Sequence, residues 1–131
     1  MEEDIIARLL ATSAVTDICG SRIYPGARPQ ASTLPAVVLQ HISGGPTYTD
    51  DGETGLAEVR IQLDFWADTY SAAKLLARAV KGSLSAFVGT VGSTTFEYIL
   101  VEDERDFREG GSNSEAYEFR TNIDCRVWYR N

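Results

Sequence analysis

Hydrophobic residues recur at helical spacing in two parts of the chain. Residues 2–12 have an acidic first turn and then one apolar stripe, formed by Ile5, Ile6, Leu9 and Leu10. A second helical turn around residues 15–18 is predicted to end at Gly20, which tolerates a positive φ. A longer helix is predicted to begin after a cap at Asp68 or Thr69 and to end near Gly89. Its apolar stripe consists of Ala73, Leu76, Ala77, Val80, Leu84 and Phe87.

Other segments alternate apolar and polar residues with the period of two that is typical of strands. The alternation is clearest in residues 56–67 and 116–129, and shorter strands are predicted over residues 36–43 and 94–102. Gly92-Ser93 has the composition of a two-residue hairpin turn before the strand over residues 94–102. Residues 44–55 and 103–114 are polar, and we predict two long loops there.

The order of elements predicts a single α+β domain over residues 1–131. The predicted order is α-β-β-α-β-β. These elements would form a four-stranded, mainly antiparallel sheet with two helices on one face, plus a small extra hairpin. The strands over residues 56–67 and 116–129 have the longest alternation and similar polar faces. We therefore place them at the centre of the sheet.

The charge of the chain limits its partners. With 12 Lys and Arg against 19 Asp and Glu, the net charge is -7, which argues against affinity for nucleic acid through a basic surface. Arg60, Arg120 and Arg126 share one predicted sheet face with several carboxylates, so we expect mutual pairing and little net potential there. An acidic N-terminus and the lack of an apolar run of about 18 residues disfavour secretion and membrane insertion.

The sequence offers no pattern for catalysis, cofactor binding or metal binding. The only histidine, His41, lies within a predicted strand and is interpreted as a strand residue. Cys19 and Cys125 lack partners at metal-binding spacing and are most simply reduced core thiols. The acidic segment 50–53 does not have the ligand spacing of a calcium loop and is interpreted as a solvated hairpin tip.

Candidate functional residues therefore belong to interaction surfaces. The charged run 102–109 is either a solvated loop or a surface for ionic contact with a partner. Trp66 and Trp128 lie on the polar sheet face, where they either meet another subunit or pack under a loop at a strand end. The candidate interaction residues are Tyr48, Asp50, Asp51, Glu53, Arg60, Trp66, Arg105, Asp106, Arg108, Arg126 and Trp128.

Several short segments in a fixed order resemble the tail completion or tail terminator proteins of long-tailed phages, prophages and gene transfer agents. They cover nearly the whole chain: RIYPG at 22–26, PQ at 29–30, LPAVV at 34–38, DFWADTY at 64–70, DERD at 103–106 and CRVWYR at 125–130. Each segment is structural in character, so the resemblance rests on their joint order.

The resemblance implies a non-enzymatic virion protein of the tail neck, assembled in the bacterial host cytoplasm. Proteins of this family form a ring, usually a hexamer, that caps the tail tube and presents a surface to the head-side stopper or connector protein. The genome would pass through the lumen of that ring without specific binding. Two alternatives remain open: another neck component such as a head completion or stopper protein, and a small-ligand-binding or enzymatic domain using a cleft beside Trp66 and Asp64.

Overall fold

Three helices and six strands make up the parts of the chain that the computed structural model describes, which are residues 1–29, 33–110 and 117–131. The helices are α1 (Glu2–Leu10), α2 (Ser13–Cys19) and α3 (Tyr70–Leu84). The strands are β1 (Ile23–Pro25), β2 (Ala36–Thr49), β3 (Gly52–Ala67), β4 (Gly89–Val91), β5 (Thr94–Gly110) and β6 (Tyr117–Arg130).

All six strands form one sheet in the order β1-β2-β3-β6-β5-β4. β1 is parallel to β2 and the other pairings are antiparallel, so the sheet is mixed, and it curls into a half-barrel. The prediction of a four-stranded sheet with two helices was therefore wrong. β1 and β4 have three residues each, too few to show an alternation, and the seven residues of α2 were interpreted as a single turn.

The two strands with the longest alternation, β3 and β6, do lie at the centre of the sheet, as predicted. Their register places Ile61 opposite Cys125 and Leu63 opposite Ile123, all fully buried. α3 covers this inner face, and its N-cap Thr69 accepts a hydrogen bond from the Ala72 amide at 3.1 Å. The predicted helical stripe is buried there through Ala73, Leu76, Ala77, Val80 and Leu84.

The prediction of two long loops, over residues 44–55 and 103–114, was also wrong, because both segments are largely strand. β2 and β3 continue outward to a two-residue turn at Asp50-Asp51, and β5 extends through most of the segment predicted as a charged loop. Polar threonines face solvent along the first extension, so no apolar alternation marks it. Residues 111–114 of the second predicted loop, the first residue of the predicted last strand (116) and Gln30 of the PQ segment lie outside the described residues.

Candidate interaction surfaces

Two hairpin arms project from opposite ends of the sheet. The first arm is the β2–β3 extension, residues 47–56, which continues beyond the last β3–β6 pair, Ala57 with Tyr129. The second arm is formed by residues 103–110 of β5 and 117–124 of β6. β3 flanks it as far as the pair Ala67 with Phe119, and residues 109–110 and 117–118 continue beyond that pair at the other end of β3. Because β3 and β6 are antiparallel, the two arms point in opposite directions.

The first arm brings together four of the predicted interaction residues. Tyr48 is 67% exposed, and its hydroxyl lies 3.4 Å from a carboxylate oxygen of Glu53 across the hairpin. Asp50 and Asp51 form the exposed turn. At about 3.4 Å per residue, this tip lies roughly 20 Å beyond Ala57.

The second arm is attached to α3 by a polar network on the inner face. Lys74 Nζ bonds Glu104 and also lies 3.2 Å from Asp106 Oδ1, while Lys81 Nζ bonds the other oxygen of Glu104. Thr121 Oγ1 donates to Asp106 at 2.8 Å. The hydrogen bond from Lys74, followed by that from Lys81, lowers the pKa of Glu104, and the bond to Glu104 raises the pKa of Lys74.

These contacts divide the predicted charged run between the two faces of the sheet. Asp106, a predicted partner-binding residue, is engaged within the molecule by Lys74 and Thr121. Arg105 lies on the opposite, outer face, where it donates to Asn122 Oδ1 and Asp124 Oδ2, each at 3.2 Å. Arg108 is exposed near the end of the arm.

Charges on the outer face, the side of the sheet away from α3, pair with one another. Arg126 reaches Glu102 at 2.9 Å and Glu58 at 3.3 Å, and Arg60 lies 3.8 Å from Glu102. Five arginines and six carboxylates take part in such pairs: Arg28, Arg60, Arg105, Arg120 and Arg126 with Glu58, Asp64, Glu102, Asp103, Glu118 and Asp124. The expected mutual pairing is confirmed, and the face has almost no net charge.

Trp66 is half-buried under a segment that crosses the outer face. The guanidinium carbons of Arg28 and Arg120 lie 4.8 Å and 5.3 Å from the centre of its ring, and Arg120 also lies 4.5 Å from the ring centre of Phe107. Arg28 is fixed by two bonds to Glu118, at 2.5 Å and 3.2 Å. Trp66 thus packs under a loop, which was one of the two interpretations left open.

Trp128 has a different environment at the other end of the outer face. Its half-buried ring lies 6.3 Å from that of Tyr98, which is 42% exposed, and Leu100 is exposed on the same face of β5. Sequence reasoning missed Tyr98 and Leu100. Bulges in β5 at Glu97 and Glu102 interrupt the alternation that would have assigned them to the outer face.

The grooves of the outer face are shallow and their ionic groups are paired. An open groove of about 460 Å³ lies at the base of the first arm, lined by residues 43–47 with Glu58, Arg60 and Arg126. The depression beside Trp66 and Asp64 has a volume of about 250 Å³ and is lined also by Arg28 and Arg120. Across residues 1–29, 33–110 and 117–131, no group of three His, Cys, Asp or Glu side chains is arranged to hold a metal.

The remaining candidate groups are structural in position. His41 is an exposed strand residue of β2, as interpreted from the sequence. Both cysteines are buried and free, and burial raises the pKa of Cys19 and raises that of Cys125 to about 12, so neither thiol is activated. None of the described helices is long and apolar enough to cross a bilayer.

Comparison with known proteins gives the family. A family model described as tail completion protein gp17 matches residues 3–130. The chain belongs to this tail completion protein family. The tail completion protein is thus a structural protein of phage-type tails and a component of the virion.

A solved structure shares the fold of this tail completion protein. It is a chain from a structure titled "Virion of native gene transfer agent (GTA) particle", superposed with a TM-score of 0.80 at 15% identity over 100% of this chain and 95% of that one. No curated protein sequence matches the chain.

Proposed function

We propose that this tail completion protein is a ring-forming, non-enzymatic tail terminator that caps the tail tube and joins it to the head connector. The observation that carries the proposal is the pair of arms at opposite ends of one continuous sheet. A subunit between a tube and a connector must contact a partner on each side. One arm is available for each partner, and the sheet between them sets their separation.

The electrostatics of the outer face support a position beside passing DNA. Its arginines are neutralised by carboxylates of the same face, and the whole chain has a net charge of -7. Duplex DNA binds proteins mainly through cationic side chains that displace its counterions. A ring of such subunits would let the genome pass without holding it.

The arrangement of ionic groups favours this role over an enzymatic one. Enzymes use groups with shifted pKa values that converge on a cavity. Here the pKa shifts of Lys74 and Glu104 arise from their own ion pair, which attaches the second arm to α3. In the depression beside Trp66, Asp64 is 3% exposed and is paired with Arg120 and Gln62.

Deletion of the gene in the producing strain tests the terminator role. Heads should fill normally while tails are abnormally long or unjoined, because nothing would stop polymerisation of the tube. The purified chain should also bind the tail tube protein, which distinguishes a terminator from a head completion or stopper protein. Tails of normal length attached to heads in the deletion strain would contradict the proposal.

A titration with DNA tests the passive lumen. We expect no measurable change in fluorescence anisotropy when the free chain is added to labelled duplex at physiological salt. Saturable binding that weakens steeply with added salt would mean that a basic stripe is exposed, and the passive lumen would have to be abandoned.

A further inference from the structure

The sheet has a long open edge on each side. β1 pairs with β2 only at residues 37–39, so among the described residues no strand covers β2 from Gln40 onward. On the other side, β4 pairs with β5 only as far as Phe96, and Ala86 donates to the Ile99 carbonyl at 2.8 Å. β5 is open in the described structure beyond Ile99. Such edges present unpaired backbone donors and acceptors to other strands.

These edges also carry exposed apolar side chains. Nine large hydrophobic residues are exposed in the described parts of the chain, and five of them lie on β2 and β5: Ile42, Tyr48, Tyr98, Leu100 and Phe107. Soluble monomers usually protect a long edge with charges or keep it short. On β2, Pro46 removes a backbone donor, and the strand is irregular at the bulge between His41 and Ser43 and at Gly44, whose φ is +98. No charged side chain protects residues 40–45, so this stretch of the edge remains open to a partner strand.

Strand direction selects which edges can meet. β2, β3, β6 and β5 are joined by three antiparallel pairings, so β2 and β5 run in opposite directions. When two copies lie side by side in the same orientation, β5 of one copy is therefore antiparallel to β2 of the next. Residues 100–110 contain five carboxylates and two arginines, but Lys74, Lys81 and Arg126 neutralise Glu104, Asp106 and Glu102, so charge does not keep two β5 edges apart. Pairing of two β5 edges would instead need a twofold axis, which closes a dimer and not a ring. Residues 40–49 contain no acidic residue, so β2 can accept β5.

We propose that neighbouring copies of this chain join edge to edge, with β5 of one subunit extending the sheet of the next at β2 residues 40–45. This contact uses two different surfaces of the subunit, so it can repeat around a ring whenever its rotation closes. It brings the exposed Leu100 of one copy to the edge that carries Ile42 of its neighbour. The inference rests on the ring-forming role proposed above and specifies the contact that builds the ring.

Paired cysteine substitutions test this contact in particles purified from the producing strain. Ser43→Cys, on the outer face of β2, is combined in turn with Leu100→Cys, Asp103→Cys and Arg105→Cys, which occupy outer-face positions along the open part of β5. Opposed residues of an antiparallel pair lie about 4.5–5.5 Å apart between Cα atoms, within reach of a disulfide. The native Cys19 and Cys125 are buried and remain silent.

After mild oxidation, at least one of the double-cysteine variants should run mostly as disulfide-linked multimers on non-reducing gels. Each single-cysteine variant should stay monomeric on the gel, and so should Ser43→Cys combined with Arg78→Cys, an exposed position on α3. Dimers from a single β5 variant would indicate like-with-like pairing and overturn the proposal. If the particles contain the chain but none of the double-cysteine variants forms a disulfide, the edge contact is overturned and the terminator role is not. If the particles lack the chain, the terminator role is overturned as well.

Discussion

The two arms differ in how they are supported. The second arm is bonded to α3 through Lys74 and Lys81, and its β6 strand also pairs with β3 as far as Phe119. The first arm leaves the sheet at Ala57, and beyond that point it is a two-stranded ribbon. Its cross-strand side-chain bonds are local, such as that between Thr47 and Thr54.

This difference separates a built-in element from one that needs a partner. An isolated two-stranded hairpin is marginally stable in water, whereas an arm attached to a helix shares the stability of the core. Glu104 on the second arm is therefore part of the folded domain. The first arm, with its exposed Tyr48 and acidic turn, should become rigid only where it meets another protein.

The largest expected effect comes from β3 and β6, the two central strands, one of which continues into each arm. Ile61→Asp or Ile123→Asp places an unpaired charge at a fully buried position of β3 or β6 and should cost about 4 kcal/mol or more, which abolishes soluble folded protein. Arg60→Asp, on the exposed side of the same strand, is the control and should remain soluble. Wild-type expression and melting of either buried variant would mean that this core is wrongly assigned.

A smaller effect is expected when the second arm loses its attachment. Lys74→Met leaves Glu104 and Asp106 without their shared cation and should lower the free energy of unfolding by about 1–2 kcal/mol in urea denaturation. Amide exchange should accelerate in residues 103–108 and stay unchanged in the first arm. Arg78→Met on the exposed side of α3 should change stability by less than about 0.5 kcal/mol. Equal effects of the two substitutions would show that the network does not support the arm.

The same network makes a defined contribution to pH dependence. Because the pKa of Glu104 is lower in the folded chain, its pairing stabilises the fold above the ordinary glutamate pKa of about 4.3. That contribution is lost as the pH falls through the pKa that Glu104 has in the folded chain, which is lower than the ordinary one. Glu104→Gln should therefore reduce the acid-induced loss of stability between about pH 4.3 and the end of the transition. Superimposable wild-type and variant pH profiles would contradict this assignment.

The smallest effect on stability is expected at the tip of the first arm. Asp50→Asn together with Asp51→Asn changes exposed turn residues and should shift the free energy of unfolding by less than about 0.5 kcal/mol. Joining of tails, counted by electron microscopy of complemented deletion strains, should nevertheless fall, because the tip is a partner contact. Asp17→Asn, an exposed position on α2, is the control. Normal joining with the tip variant would restrict the contact to other residues of the arm.

The core was predictable because burial imposes a period on the sequence. Ile61 and Ile123 alternate with polar neighbours in β3 and β6, and the length of this alternation also indicated which strands are central. The first arm was missed because solvent on both faces removes that period, and the second because its inner face meets α3 through charged side chains and not apolar ones. Thr47 and Thr54 give a strand the composition of a loop, although their side chains bond across it.

The site was less predictable than the core, since its contacts join distant segments. The sequence marks Asp106 and Arg105 as charged neighbours but does not indicate that one faces Lys74 on the helix side and the other Asp124 on the outer face. Trp66 was identified without Arg28, which reaches it from a segment about forty residues earlier. These assignments depend on register and bulges, which short motifs do not specify.

The most direct test of the account is electron microscopy of the particle neck at a resolution that resolves strands. We expect a ring of this chain between the tail tube and the head connector, with the first arm directed to one side of the ring and the second arm to the other. A neck without this chain, or a ring whose two arms contact the same partner, would contradict the account.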